Sequence, residues 1–277
     1  MPKLLSQDAI EAYNRDGLHF PIPVMSREEA QSYRDELETY EGTTGAPIQG
    51  AYRHKVHLLF TWADRLIRHP KVLDAVEDVI GPDILCWSTN FFIKEPRTGD
   101  FVSWHQDSTY WGLDPADVVT AWIALTDVPM ETGPMRFLLG SQTLDQVNHK
   151  DSFHENNLLT RGQVVDMDID EDKSVFVPLS QGEMSLHHIR AVHASDPNTF
   201  NDRRIGFAVR YMPTYVRSIS GPQSATLVRG TDTYGHFGAE EAPVVDLDEA
   251  ALALHAKASG MAQANLYRGT DRTEFRP

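Results

Sequence analysis

Cysteine is nearly absent: the chain of 277 residues has one, Cys86. An intrachain disulfide is therefore excluded, and the fold must rest on its apolar core. The neighbours Ile84-Leu85 and Trp87 read as core strand, which makes Cys86 a buried, inert thiol. Long apolar runs are missing too, since no stretch reaches the roughly 18 residues that a spanning helix requires. The N-terminus, Met1-Pro2-Lys3-Leu4-Leu5-Ser6, soon turns charged and carries no signal-peptide pattern. Positive charge is scarce, with 25 Lys and Arg against 40 Asp and Glu and a formal charge of −15. That balance argues against a broad nucleic-acid surface and against anionic membranes, and serves solubility. The expectation is a reducing, cytoplasmic setting and a small-molecule partner; the sequence carries no signal for an oligomeric state.

What is present is an ordinary globular composition, 41% hydrophobic, enough for a sizeable core. Helix signals come first. Ser6 can cap a helix to Asp16 that Gly17 ends, and Leu18 to Ile22 reads as an extended piece. Ser26 with Glu29 three residues on is a capping-box pattern for a helix over 27–41, and Pro70 opens another over 71–80. Strands follow at 84–94, 118–126, 135–139, 174–178, 184–189 and 205–211, with turns between them. Residues 52–59 suit a loop or edge strand, and 142–173 a polar, irregular stretch. A last helix is expected over 247–266. Helices followed by many short strands suggest a mainly β protein with added α-helices, built on a double-sheet jelly roll. The expected organisation is one domain: a helical part to about 82, a core over about 83–213 and a C-terminal extension over about 214–277.

The chemistry centres on Trp104-His105-Gln106-Asp107. On an extended segment, residues two apart project to the same side. His105 and Asp107 can thus offer an imidazole and a carboxylate to one metal, and a histidine from a distant strand would complete a two-histidine, one-carboxylate triad with open positions on Fe(II). Three histidines compete for that place. His187 and His188 lie inside an apolar strand and read as packing or as satisfied core groups, whereas His193 follows that strand at a position that suits a ligand. In the next strand Arg204, Gly206 and Ala208 share one face. An interior guanidinium beside two small residues has room for a carboxylate, its bidentate partner. The acids Asp168, Asp170 and Glu171 read as a solvated loop.

His105-Gln106-Asp107, Ala121-Trp122, Glu131-Thr132-Gly133-Pro134-Met135, Gly140-Ser141, His193-Ala194-Ser195-Asp196-Pro197-Asn198 and Arg203-Arg204-Ile205-Gly206-Phe207-Ala208-Val209-Arg210-Tyr211 together resemble the phytanoyl-CoA dioxygenase-like family of Fe(II)/2-oxoglutarate oxygenases. The likeness runs from about Asp8 to Pro213. It implies a double-stranded β-helix core of cupin type, Fe(II) held by His105, Asp107 and His193, and Arg204 on the distal carboxylate of 2-oxoglutarate. It further implies that Gln106, Trp122 and Ser195 belong to the cosubstrate pocket. The implied reaction consumes O2 and 2-oxoglutarate, releases succinate and oxidises a C–H bond. Two departures are visible: Gln142 stands where the family often has His, and Ala194 where it often has Gly. Halogenating members lack the metal carboxylate, so the retained Asp107 implies hydroxylation or a related oxidation. The competing readings are a non-catalytic metal-binding jelly roll and a cupin-type enzyme that uses the same ligands without 2-oxoglutarate.

For the substrate, the basic segment Tyr52-Arg53-His54-Lys55-Val56-His57 and the aromatics Trp87, Phe92, Tyr110 and Trp111 lie where the family builds its pocket. Aromatic faces hold alkylammonium groups, and basic side chains hold anions. Lys55, Asn90, Tyr110 and Trp111 are the substrate-contact candidates. The expected substrate is a small zwitterion such as an aminoalkylphosphonate or its N-methylated form, with an apolar carboxylic acid or natural-product intermediate as the alternative.

Overall fold

The computed structural model describes residues 2–268, 270 and 271. The final stretch of the expected C-terminal extension, 272–277, lies outside these. Two antiparallel-rich sheets face each other. The larger has seven strands in the order Leu18–Pro23, Glu183–His188, Val119–Ala124, Arg204–Pro213, Ile84–Lys94, Ser224–Arg229 and Gly238–Ala239. The smaller has four, in the order Val102–His105, His193–Ser195, Met135–Phe137 and Val175–Val177. This is the double-stranded β-helix expected from the run of short strands. Among the described residues no helix is long and apolar enough to cross a membrane.

Alternation along the central strands sets the layers. Ile205, Phe207, Val209 and Tyr211 join Val119, Ala121 and Ile123 in the main core. The same core takes Trp62, Leu66, Ile67, Val72 and Val76 from the helices Thr61–Ile67 and Pro70–Ile80. The intervening residues Trp122, Ala124 and Ala208 turn the other way and pack with Met135, Phe137 and Val177 of the small sheet. Every residue of the Arg204–Pro213 strand is buried, because helices cover one face and the second sheet the other. Burying both faces therefore requires a reason for each polar residue on the inner face, and Arg204 and Arg210 are two of them.

Local signals account for the helix ends. Ser6 Oγ accepts from Ala9 N–H at 3.1 Å, and Gly17 closes the first helix with φ +72°. Ser26 Oγ likewise accepts from Glu29 N–H. The Glu29 carboxylate, however, lies 3.3 Å from His69, so a helix-to-helix contact replaces the return half of a capping box. Residues 52–59 lie mostly in two short 3-10 turns, Gly50–Arg53 and Val56–Leu58, and between them His54 bridges Asn90 of the large sheet in an isolated antiparallel pair. The stretch 142–173 contains a small hairpin of His149–Asp151 and Gln163–Val165. The strand Leu18–Pro23, expected only as an extended piece, is an edge of the large sheet.

Candidate active site

His105 ends one strand of the small sheet and His193 begins its neighbour, and the two are register partners. Asp107 follows two residues after His105, as the alternation requires. One ligand atom from each of His105, Asp107 and His193 lies within 4.8 Å of the others, with all three buried, and this is the metal-ligand grouping found among the described residues. The Nδ1 of His105 faces the carbonyls of Ser103 and His193 at 2.9 and 3.1 Å, and that of His193 faces the Ala191 carbonyl at 2.9 Å. Each Nδ1–H is thereby committed to donating to backbone oxygen, which leaves each Nε2 lone pair for a metal. Phe137 stacks on the His193 ring at 4.8 Å and 11°, fixing its plane.

Electrostatics suit the same use. Burial, with help from His105 and His187, pushes His193 well below the ordinary imidazole range, so it stays neutral. Burial alone would raise Asp107, but hydrogen bonds from His105 and His187 and the nearby Arg210 and His193 hold it well below the usual carboxylate range. The Thr120 hydroxyl donates to Asp107 Oδ2 at 3.1 Å, and His187 Nε2 lies 3.5 Å from the same oxygen. His187 thus stands behind the carboxylate, one step out from the grouping. His188, the next residue of its strand, faces away and accepts from Arg190 N–H at 3.1 Å. Two imidazole nitrogens and an ionised carboxylate, with the rings oriented from behind, fit Fe(II).

Arg204 lines the same small chamber as the three ligands, together with Trp122, Met135, Ser195, Ala208 and Arg210 among others. Its Nη1 donates to the Gly133 carbonyl at 2.6 Å, its guanidinium lies 5.3 Å from the Trp122 ring, and its Nε has no partner. Burial with no compensating acid pushes this guanidinium down to about 9. A carboxylate arriving here would relieve that desolvation. Lys94, paired in register with Arg204, donates to Ser195 Oγ at 2.7 Å and to the Asp196 carbonyl. Ser195 Oγ accepts there, so its own proton is left to donate elsewhere, and Ser195 lines the chamber. Lys94 was not among the residues expected from sequence. The signal was available, since Asn90, Phe92 and Lys94 alternate along one strand as Ala208, Gly206 and Arg204 do along its partner.

Gly206 is required by the ring beside it. A Cβ built there would meet Trp122 Cζ2 at 1.8 Å. Gly206→Ala should therefore displace Trp122 from Arg204. The expected outcome is a loss of about 1–3 kcal/mol in stability, as for other overpacked cores, and a weaker 2-oxoglutarate titration. Thermal denaturation and anaerobic titration of the variant check both.

Four sequence expectations take a different form in three dimensions. Gln106 does not line the chamber. Its amide donates to the carbonyls of Asp145 and Arg190 at 3.3 and 3.0 Å and accepts from Val147 N–H and Gln146, because a residue between two inward-facing neighbours must face outward. Lys55 lines an outer chamber, but its three N–H donors go to the Trp87 carbonyl, the Ser224 carbonyl and Glu240, which leaves none to hold an anionic head. The Tyr110 ring lies 3.8 Å from the Arg161 guanidinium, and its hydroxyl donates to Asp151 at 2.9 Å. Trp111 lies 5.4 Å from the guanidinium of Arg210, whose Nη1 donates to Asn90. The aromatic faces meant for an alkylammonium therefore carry the protein's own cations. In the acidic loop, Glu171 pairs with Arg136 and Asp170 with Lys173, each at 2.7 Å, and Asp168 joins no metal-ligand grouping.

A family model described as phytanoyl-CoA dioxygenase (PhyH) matches residues 2–206. The chain belongs to the phytanoyl-CoA dioxygenase family. Among solved structures, this family member is similar to the non-heme monooxygenase ThoJ, at 37% identity over 94% of this chain and 97% of that one, with a TM-score of 0.82. It is similar to CytC3, solved with Fe(II) and alpha-ketoglutarate, at 25% identity over 85% of this chain and 93% of that one, with a TM-score of 0.64. A probable alpha-ketoglutarate-dependent hypophosphite dioxygenase of Stutzerimonas stutzeri is 28% identical over 55% of this chain and 54% of its own length. The chain spans about half the length of the curated relatives it matches. Fe(II) and alpha-ketoglutarate are thus the groups held by CytC3, and the donor set described above fits both.

Proposed function

We propose that this family member is an Fe(II)- and 2-oxoglutarate-dependent dioxygenase that hydroxylates a C–H bond of a small molecule. The observation that carries the reading is one chamber holding both the His105–Asp107–His193 grouping and an Arg204 without an acid partner. A merely structural metal needs no carboxylate clamp. Iron and 2-oxoglutarate supply the oxidising chemistry when bound with O2. The chain's own part is to bind and orient. His105, Asp107 and His193 would hold the metal. Arg204 and Ser195 receive the distal carboxylate, with Trp122 keeping the guanidinium in place. The apolar walls at Phe92, Met135 and Ala208 keep water from the reacting centre. No side chain has to serve as general base.

Within this class the finer reading is a small zwitterion, such as an aminoalkylphosphonate or its N-methylated form. An apolar carboxylic acid or a natural-product intermediate is the alternative. The resemblance to a hypophosphite dioxygenase supports the first. The aromatic faces support the cationic half of the zwitterion less well, since Arg161 and Arg210 already cover Tyr110 and Trp111. A reducing, cytoplasmic setting belongs to the same reading, in keeping with a single buried thiol.

The test is succinate release with Fe(II), 2-oxoglutarate and O2, using aminoalkylphosphonates, betaines and apolar acids side by side. Iron-dependent release with at least one of them is expected. Fe(II) binding without any dependence on 2-oxoglutarate would instead favour the metal-binding jelly roll or the cupin-type enzyme.

A further inference from the structure

Outside the metal chamber lies a second one, whose lining includes Arg53, Asn90, Trp111 and Gln223. The two chambers share Phe92, Asp107 and Arg210. Arg210 therefore stands at the neck between the metal ligands and the outer space. It is the next member of the inward face that begins at Arg204, two residues beyond Ala208.

Arg210 is only 4% exposed. Its Nη1 donates to Asn90 Oδ1, its guanidinium lies 5.6 Å from the Phe92 ring and 5.4 Å from that of Trp111, and its Nε has no partner. Arg53, 8% exposed in the same chamber, donates to the Phe91 carbonyl at 3.1 Å. Among the described residues neither guanidinium is within ion-pair distance of an acid. Lys55 differs, because Glu240 neutralises it. Burial pushes Arg53 down to about 10 and lowers Arg210, so both cations are held against desolvation. Among the described residues the only carboxylate lining the outer chamber is Asp107, which the metal would claim. Two buried guanidiniums that form no ion pair among the described residues thus face this space in a chain whose formal charge is −15. Buried cations without acids are costly unless a ligand completes them.

We propose that Arg210, positioned by Asn90 and packed between Phe92 and Trp111, anchors an anionic group of the substrate, with Arg53 as the second cation of the same site. The ligand chemistry is a carboxylate or a phosphonate, both of which match the planar guanidinium fork. Bound there, the anion sits at the neck and directs the rest of the molecule towards the metal. This deepens the oxygenase reading, and rests on it for that direction. The anion site itself is measurable without turnover.

The test uses the full chain saturated anaerobically with Fe(II) and 2-oxoglutarate, which keeps Arg204 engaged. It is titrated with methylphosphonate and with propionate, following tryptophan emission, and then with the neutral dimethyl methylphosphonate and propionamide. Saturable binding by at least one anion and by neither neutral counterpart is expected, and the stronger anion identifies the group. Arg210→Gln should weaken it at least tenfold, and Arg53→Gln by a smaller factor. Arg210→Lys should recover part of the affinity, and circular dichroism of each variant should match the parent. The 2-oxoglutarate affinity, read from visible absorption of the iron complex, should stay within about twofold.

The proposal is overturned if neither anion saturates, if the neutral compounds bind as well, or if Arg210→Gln binds the anions unchanged. It is also overturned if that variant loses 2-oxoglutarate affinity by the same factor, since Arg210 would then serve the cosubstrate. Should the parent protein form no 2-oxoglutarate complex, the oxygenase reading fails by itself. Anion titration of Arg204→Ala without iron then still reads the Arg210 site.

Discussion

His105→Ala, Asp107→Ala and His193→Ala each lose Fe(II) binding and, with it, iron-dependent succinate release, while His188→Ala keeps the metal. Three ligands on one side of the metal leave no redundancy. His193 has its tautomer fixed by the Ala191 carbonyl and its plane fixed by Phe137, so no neighbour can replace it without moving both. His187 is the one imidazole near enough to be tempting, 3.5 Å from Asp107 Oδ2. Its position behind the carboxylate predicts a milder result for His187→Ala. Groups that orient a ligand typically contribute about 10- to 100-fold in metal affinity. Anaerobic Fe(II) titration with activity alongside separates the cases. Full iron affinity in His193→Ala, together with its loss in His187→Ala, would reverse the ligand assignment.

Arg204→Ala raises the apparent KM for 2-oxoglutarate roughly ten- to a hundredfold with iron binding little changed, because a charge-assisted contact is worth about 1.5–3 kcal/mol. The reason is visible in the free protein. Arg204 is 1% exposed, has no acid partner and bonds only the Gly133 carbonyl. Arg204→Lys should recover part of the loss, since an ammonium lacks the planar fork. Lys94, paired with Arg204 in register, limits the damage only indirectly, because it is engaged by Ser195 and Asp196. A 2-oxoglutarate titration that Arg204→Ala leaves unchanged would move the assignment to another cation of the chamber, with Lys94 and Arg210 the first to examine.

These two expectations use features that sequence reading could reach. Period-two alternation put His105 with Asp107, and Arg204 with Gly206 and Ala208. The strand structure then carried these faces into one chamber. The same rule, extended by one step, reaches Arg210 on one strand and Lys94 on its neighbour. Both were legible in principle and were not singled out as site residues.

What the sequence by itself determined was local: the helix caps at Ser6 and Ser26, the short strands that make a double-sheet core, the face on which each strand residue lies, and the motifs of the phytanoyl-CoA dioxygenase family. Only the tertiary structure decided what the long polar side chains meet. Lys55 finds Glu240 from 185 positions away, Gln106 ties down the loop at residues 145–147, and Arg161 covers Tyr110 from 51 positions beyond it. A side chain's face follows from backbone geometry that neighbouring residues set. Its partner follows from which distant segments the sheet brings alongside, and a long flexible cation takes whichever acid, carbonyl or ring removes the most desolvation. Arg204, Arg53 and Arg210 are buried guanidiniums of the chambers that form no ion pair among the described residues, and the proposed anion sites rest on that tertiary arrangement.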